Sequence, residues 1–101
     1  MKILDGNNNL LAQVIKPFDG NSQKNFFTKH DLDFQAASFQ LEKDENIDRH
    51  IHNTQERISQ TTSEAIIVTE GLINVEIYDM ELNFIQDVNI NSGEVILLFA
   101  G

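Results

Sequence analysis

Two of the three histidines of the chain, His50 and His52, are separated by a single residue in the segment DRHIHN at positions 48–53. In an extended chain, side chains two positions apart point to the same face, so we expect the two imidazoles to project together. A pair of neutral imidazoles forms half of a site for a divalent metal ion such as zinc, iron, nickel, copper or manganese. Asp48 falls on the same face and could orient one of the rings. Because such a pair also arises by chance, the spacing alone favours a metal site only weakly.

Downstream of the histidines, Glu64 is followed after six residues by Gly71, within the segment SEAIIVTEG. Together with His50 and His52, this spacing resembles the first motif of the cupin superfamily. That motif reads Gly, five residues, His-x-His, three or four residues, Glu, six residues and Gly. The resemblance implies a divalent metal ion held by His50, His52 and Glu64, with the remaining positions open to water. The identity of the metal stays open.

Two positions depart from the motif. Asp44 stands where the first Gly of the motif would be, and eleven residues separate His52 from Glu64, more than in the family pattern. Glu56 fits the shorter gap but has no Gly six residues later. We therefore favour Glu64 as the carboxylate ligand and keep Glu56 as the alternative. The polar segment 53–63 is expected to be an extended loop near the pocket.

The second cupin motif begins with Gly, five residues and Pro-x-Gly. The segment from Gly93 resembles it, because five residues later comes Phe99-Ala100-Gly101, with Phe in the Pro position. The resemblance thus covers about the last half of the chain, from position 44 onward. In the family, a third histidine follows two residues after the last Gly, beyond Gly101. Either this is a shortened form or the fold is completed in another way. The apolar run 95–99 favours shortening, because it would make a poor exposed end.

Turn-forming residues divide the chain into short segments of strand length. Clusters rich in Gly, Asn and Asp, which tolerate the left-handed backbone of tight turns, occupy positions 5–9, 16–22, 43–46, 79–83 and 91–93. The runs between them that fit strands are 10–15, 34–41, 64–69, 72–78, 84–90 and 94–99. Residues 23–32 suit either a short helical turn or a strand. The pattern predicts an all-β sandwich or barrel in one domain over residues 1–101.

The best-defined run is 72–78, in which Ile73, Val75 and Ile77 alternate with polar neighbours and predict one buried face. The run 94–99 is nearly all apolar, which predicts a strand that is buried on both sides or covered by a partner. With the resemblance added, the expected architecture is a cupin-type double-stranded β-helix, a jelly-roll barrel that is incomplete at its C-terminal end.

Composition limits the partners and the chemistry. The net charge of −9 argues against nucleic acids and anionic membranes as partners, because like charges repel. The absence of cysteine excludes disulfides and thiolate chemistry. No signal peptide and no run long enough to span a membrane is found, so a cytoplasmic location is expected by default.

Three functions are open. The first is a metal-binding cupin that binds or transforms a small polar molecule. The second is a metal-independent isomerase or epimerase of nucleotide-linked sugars, in which the histidine pair acts as acid and base and Arg49 meets a phosphate. The third is a non-catalytic ligand-binding module. The resemblance further implies a homodimer formed through an N-terminal strand such as 10–15, and His30 is expected to be a surface residue without a role.

Overall fold

The computed structural model describes residues 1–17 and 24–101, and within these ranges the protein contains strands, turns and extended segments but no helix. The described strands do not close into a barrel. The all-β prediction is therefore confirmed, whereas the jelly-roll arrangement stays a prediction. Eight strands are found in the described ranges: β1 (Lys2–Leu4), β2 (Leu10–Ile15), β3 (Lys24–Phe26), β4 (Ala37–Phe39), β5 (Glu64–Ile67), β6 (Leu72–Tyr78), β7 (Phe84–Asn91) and β8 (Val95–Leu98).

These strands form three antiparallel sheets. The largest has the order β1-β2-β8-β5, and the other two are the hairpins β3-β4 and β6-β7. Strand β8 lies in the interior of the large sheet, where Ile96 pairs with Val14 on one side and with Ile66 on the other. The prediction of a buried strand near positions 94–99 is thus confirmed, because β8 has paired strands on both sides and the middle of β8 is buried. Both neighbouring strands come from distant parts of the chain.

The core lies between the large sheet and the β6-β7 hairpin. Alternation along β6 and β7 directs Ile77, Val88 and Ile90 towards one side, where they pack with Val14 and Ile96 of the large sheet. The period-two pattern of residues 72–78 predicts this face as buried, and it is so at Ile77, partly at Val75 and not at Ile73, which is exposed. On the opposite side of the hairpin the residues are polar, and the Asn74 side chain donates to Asp87 and Asn89 across the strands.

Two turns of identical construction reverse the chain after β1 and after β6. In the first, the Asp5 carboxylate accepts hydrogen bonds from the backbone N–H groups of Asn7 and Asn9 and from the Asn9 side chain, at 2.8–2.9 Å. In the second, Asp79 accepts the same set from Glu81 and Asn83. Hydrogen bonds from Asn9 lower the pKa of Asp5, and those from Asn83 lower the pKa of Asp79.

The remaining boundaries differ moderately from the sequence expectations. The run 34–41 contributes only Ala37–Phe39 to a strand, and the ambiguous stretch 23–32 contains the strand Lys24–Phe26 in its described part. Positions 18–22 of the turn expected at 16–22 lie outside the described residues. In the part of the chain that is described, no helix has the length and the apolar character required to cross a bilayer.

Candidate functional site

The histidine pair lies on an extended segment outside the sheets. Residues 46–59 belong to no strand, and both His50 and His52 are exposed. The two imidazoles lie side by side, with ring centroids 5.4 Å apart and planes inclined by 55°. The spacing of two residues therefore does bring the rings together, as expected for an extended backbone.

One of the two rings is oriented by a backbone contact. Nδ1 of His50 lies 3.0 Å from the carbonyl oxygen of Asp48. Because a carbonyl oxygen only accepts, Nδ1 donates in this contact, and Nε2 is the ring nitrogen left for another partner. The contact is made by the backbone carbonyl of Asp48, and a role for its carboxylate stays a prediction.

The predicted carboxylate ligands do not join the pair. Glu64 begins β5, opposite Leu98, and is exposed, while Glu56 is exposed in the long segment before it. Among residues 1–17 and 24–101, no three His, Cys, Asp or Glu side chains are grouped so that they could hold a metal ion. The described donors therefore amount to a half-site of two nitrogens, and Glu64 as a third ligand stays a prediction.

A polar cavity of about 590 Å³ lies beside the histidines. It is formed by two segments, 30–35 and 51–57, and is called the histidine–arginine cavity below. Its lining consists of His30, Asp33, Gln35, Ile51, His52, Asn53, Gln55 and Arg57. The volume falls within the range of about 300–1,000 Å³ that is typical of small-molecule sites, and almost every lining side chain can form hydrogen bonds.

Arg57 is held in place by two contacts at the cavity. Its Nη1 donates to Oδ1 of Asp33 at 2.9 Å, and its Nη2 donates to Oε1 of Gln55 at 2.9 Å. Because both charged side chains are exposed, this ion pair contributes only about 0–1 kcal/mol to stability. Its consequence is geometric: a guanidinium has five N–H donors, so Arg57, which lines the cavity, has donors beyond the two used in these contacts.

His30 was expected to be a surface residue without a role, and it is exposed, but it also lines the cavity opposite His52. The Gln35 side chain donates to the His30 carbonyl at 2.8 Å and closes the loop that carries His30 and Gln35. The arginine at the cavity is Arg57, whereas Arg49, the residue considered for a phosphate contact, is not among the lining residues. No local spacing could reveal this grouping, since His30 and Asp33 are distant in sequence from His52 and Arg57.

Comparisons of the chain with protein-family models, with curated proteins and with solved structures found no match. The backbone does, however, have one property at the positions that the motifs assign to glycine. Asp44, Gly71, Gly93 and Gly101 have φ angles of 69°, 85°, 84° and 103°. Each therefore lies in the left-handed region that glycine adopts most readily and that Asp tolerates.

Proposed function

We propose that this protein is a cupin-type domain that binds a small polar molecule in the histidine–arginine cavity, through a carboxylate or phosphate group. The observation that carries the proposal is the placement of Arg57, which is fixed by Asp33 and Gln55 at a cavity shared with His30 and His52. Oriented guanidinium N–H groups are suited to carboxylate and phosphate oxygens, because they donate two parallel hydrogen bonds.

The net charge of −9 does not oppose such a ligand at close range. At physiological ionic strength, charges beyond about 8 Å are largely screened, so that the local donors decide binding once the ligand has entered. Asp33 offsets the charge of Arg57 and occupies one N–H group of the guanidinium. The side-chain amides of Gln35, Asn53 and Gln55 add further donors and acceptors to the cavity. The cavity therefore suits a polar molecule with several hydrogen-bonding groups.

The cupin assignment is supported by the backbone at the motif glycines. Four of four positions, including Asp44 in place of the first Gly, have the positive φ that would make glycine favourable there. Two stacked layers, the large sheet and the β6-β7 hairpin, are compatible with a jelly roll. The expected homodimer would need a strand other than β2 for edge pairing, because β2 already has neighbours on both sides.

Binding is tested by titrating ¹⁵N-labelled protein at physiological ionic strength with phosphate, acetate and citrate. We expect the amide resonances of residues 30–35 and 51–57 to shift. Arg57→Ala removes charge-assisted hydrogen bonds worth about 1.5–3 kcal/mol, which corresponds to a loss of affinity of roughly 10- to 150-fold. Arg49→Ala is the matched control, because it removes the same charge from outside the cavity lining and should leave the affinity unchanged.

The proposal fails if none of the three anions shifts these resonances, or if Arg49→Ala weakens binding as much as Arg57→Ala does. A thermal melt of each variant accompanies the titration. Because the Arg57–Asp33 pair is exposed, we expect the melting temperature to change little, so a loss of binding would not reflect unfolding.

A second candidate function is a divalent-metal site at His50 and His52, and it is favoured by one observation. The contact between the Asp48 carbonyl and Nδ1 of His50 leaves Nε2 available, which is the arrangement common among metal-bound histidines. A bound divalent ion would supply Lewis-acid chemistry next to the cavity. With only two protein ligands grouped, we expect weaker binding than at a complete site.

Elemental analysis after loading with zinc, nickel or manganese tests this second candidate. The double variant His50→Ala, His52→Ala should lose the metal, while His30→Ala, which removes the third histidine, should retain it. Equal metal content in both variants would refute the site. Glu64→Gln tests the predicted third ligand separately, since a drop in metal affinity would include Glu64 in the site and an unchanged affinity would exclude it.

A further inference from the structure

We propose that a second cavity, distinct from the histidine–arginine cavity, binds a neutral, hydroxyl-rich molecule of about the size of a monosaccharide. It has a volume of about 470 Å³ and lies where strands of all three sheets come together. We call it the amide cavity, because four of its lining side chains are carboxamides. Its lining consists of Met1, Gln13, Val14, Ile15, Lys16, Asn25, Phe27, Asn89, Asn91 and Glu94.

A buried side chain without a full set of partners points to a ligand. Gln13 lies on β2, is only 6% exposed and lines the amide cavity. Its Nε2 donates to the Phe27 carbonyl at 2.7 Å, but its Oε1 accepts no hydrogen bond from any described residue. Among the described residues, this is the one buried polar side-chain atom without a hydrogen-bond partner. Buried acceptors are normally paired, so a hydroxyl of a bound molecule would supply the missing donor once the amide turns towards the cavity and exchanges its contact with Phe27 for one with the ligand.

The other amides extend the same chemistry around the cavity. Asn89 accepts from the Asn74 side chain through Oδ1, at 3.0 Å, which leaves its own NH₂ group for a ligand oxygen. Asn91 lies two residues further along β7, and Asn25 faces from β3. Carboxamides both donate and accept, as hydroxyl groups do, so this set can bind several hydroxyls without charge.

Three charged groups belong to lining residues, and each has a partner in the protein. Nζ of Lys16 lies 3.5 Å from Oε1 of Glu94, whose Oε2 accepts from the Asn91 backbone N–H at 2.9 Å. The Met1 α-ammonium donates to the Val14 carbonyl at 3.0 Å, so the amides are the uncharged polar groups that this wall presents. Phe27, Val14 and Ile15 add an apolar portion that suits the C–H face of a sugar or cyclic polyol.

The test is a ¹⁵N titration with D-glucose, D-galactose, D-mannose and myo-inositol, alongside D-glucuronate and D-glucosamine as charged analogues. We expect at least one neutral probe to shift the resonances of residues 13–16 and 89–94, and the charged analogue of the same ring to bind less tightly. Asn89→Ala, on the exposed side of β7, should weaken binding about tenfold, the equivalent of one lost hydrogen bond. Gln13→Leu should weaken it at least as much.

The matched control is Arg57→Ala, which should leave sugar binding unchanged because it belongs to the other cavity. Conversely, Asn89→Ala should leave the binding of phosphate or citrate unchanged, so failure of one site is distinguishable from failure of the other. If Gln13→Leu does not fold, Asn89→Ala decides the outcome. The inference is overturned if no neutral probe shifts residues 13–16 and 89–94, or if binding is the same in the Asn89→Ala variant.

Discussion

Truncation of Ile96 tests the arrangement of the large sheet, whose strand β2 lines the amide cavity. Ile96 lies on β8 in the interior of the large sheet, is 0% exposed and belongs to the core cluster. Its Cα partners are Val14 on β2 and Ile66 on β5, so its side chain is enclosed on both sides within the sheet and faced by the β6-β7 hairpin. Ile96→Ala would remove methyl groups from a place that backbone pairing on two sides prevents from collapsing.

The loss of unfolding free energy expected for Ile96→Ala lies in the upper half of the usual range for such substitutions. Large-to-small substitutions of buried Ile or Leu cost about 2–5 kcal/mol, and the cost increases when the surroundings cannot relax. We therefore expect Ile96→Ala to lower the free energy of unfolding by about 4 kcal/mol. Domains of this size have a total stability of about 5–15 kcal/mol, so the melting temperature should fall by roughly 15 °C or more.

Urea denaturation monitored by circular dichroism measures this change. The matched control is Ile67→Ala, the same substitution in the same sheet, at a side chain that is 65% exposed on the outer strand β5. Surface substitutions of this kind alter stability by no more than about 0.5 kcal/mol. Similar losses in the two variants would refute the strand order β1-β2-β8-β5, since they would mean that Ile96 is no more enclosed than Ile67.

Three further predictions concern the turns and the outer face of the hairpin. Hydrogen bonds from Asn83 lower the pKa of Asp79. The stability that the Asp79 carboxylate adds is therefore present above the usual pKa of an Asp side chain and is lost as the pH falls through the lowered pKa. The urea midpoints of the native protein and of Asp79→Ala should converge in acid. Gly93 has a φ of 84°, so Gly93→Ala should cost about 1–2 kcal/mol in the same denaturation assay. The Tyr78 hydroxyl donates to Glu76 at 2.8 Å, which raises the pKa of Tyr78, and Glu76→Gln should lower it in a spectrophotometric titration.

The strands that could be predicted from sequence are those in which alternation and turn chemistry agree. The segment 72–78 follows Gly71 and alternates apolar and polar residues, and its predicted bounds coincide with β6. The strand expected at 34–41 is reduced to Ala37–Phe39, because its hairpin leaves Phe26 and Phe39 exposed and gains little from burial. Apolar residues alone indicate a strand, but packing determines where pairing ends.

The candidate site was predictable only where local geometry sufficed. The proximity of His50 and His52 follows from their spacing of two residues, whatever the rest of the chain does. That His30 and His52 line one cavity depends on the course of two segments that lack any periodic pattern. Motif spacing could name Glu64, but it could not show how the long insertion before it is placed.

The position of β8 in the large sheet has a consequence for how this chain is made. The partner of strand β2, β8, is synthesised only after the strands β3 to β7 that lie between them in the chain. Until then one edge of β2 stays without hydrogen-bond partners, and closing so long a loop slows the search for the native pairing. While the intervening strands are synthesised, the unpaired edge of β2 is therefore open to wrong strand association.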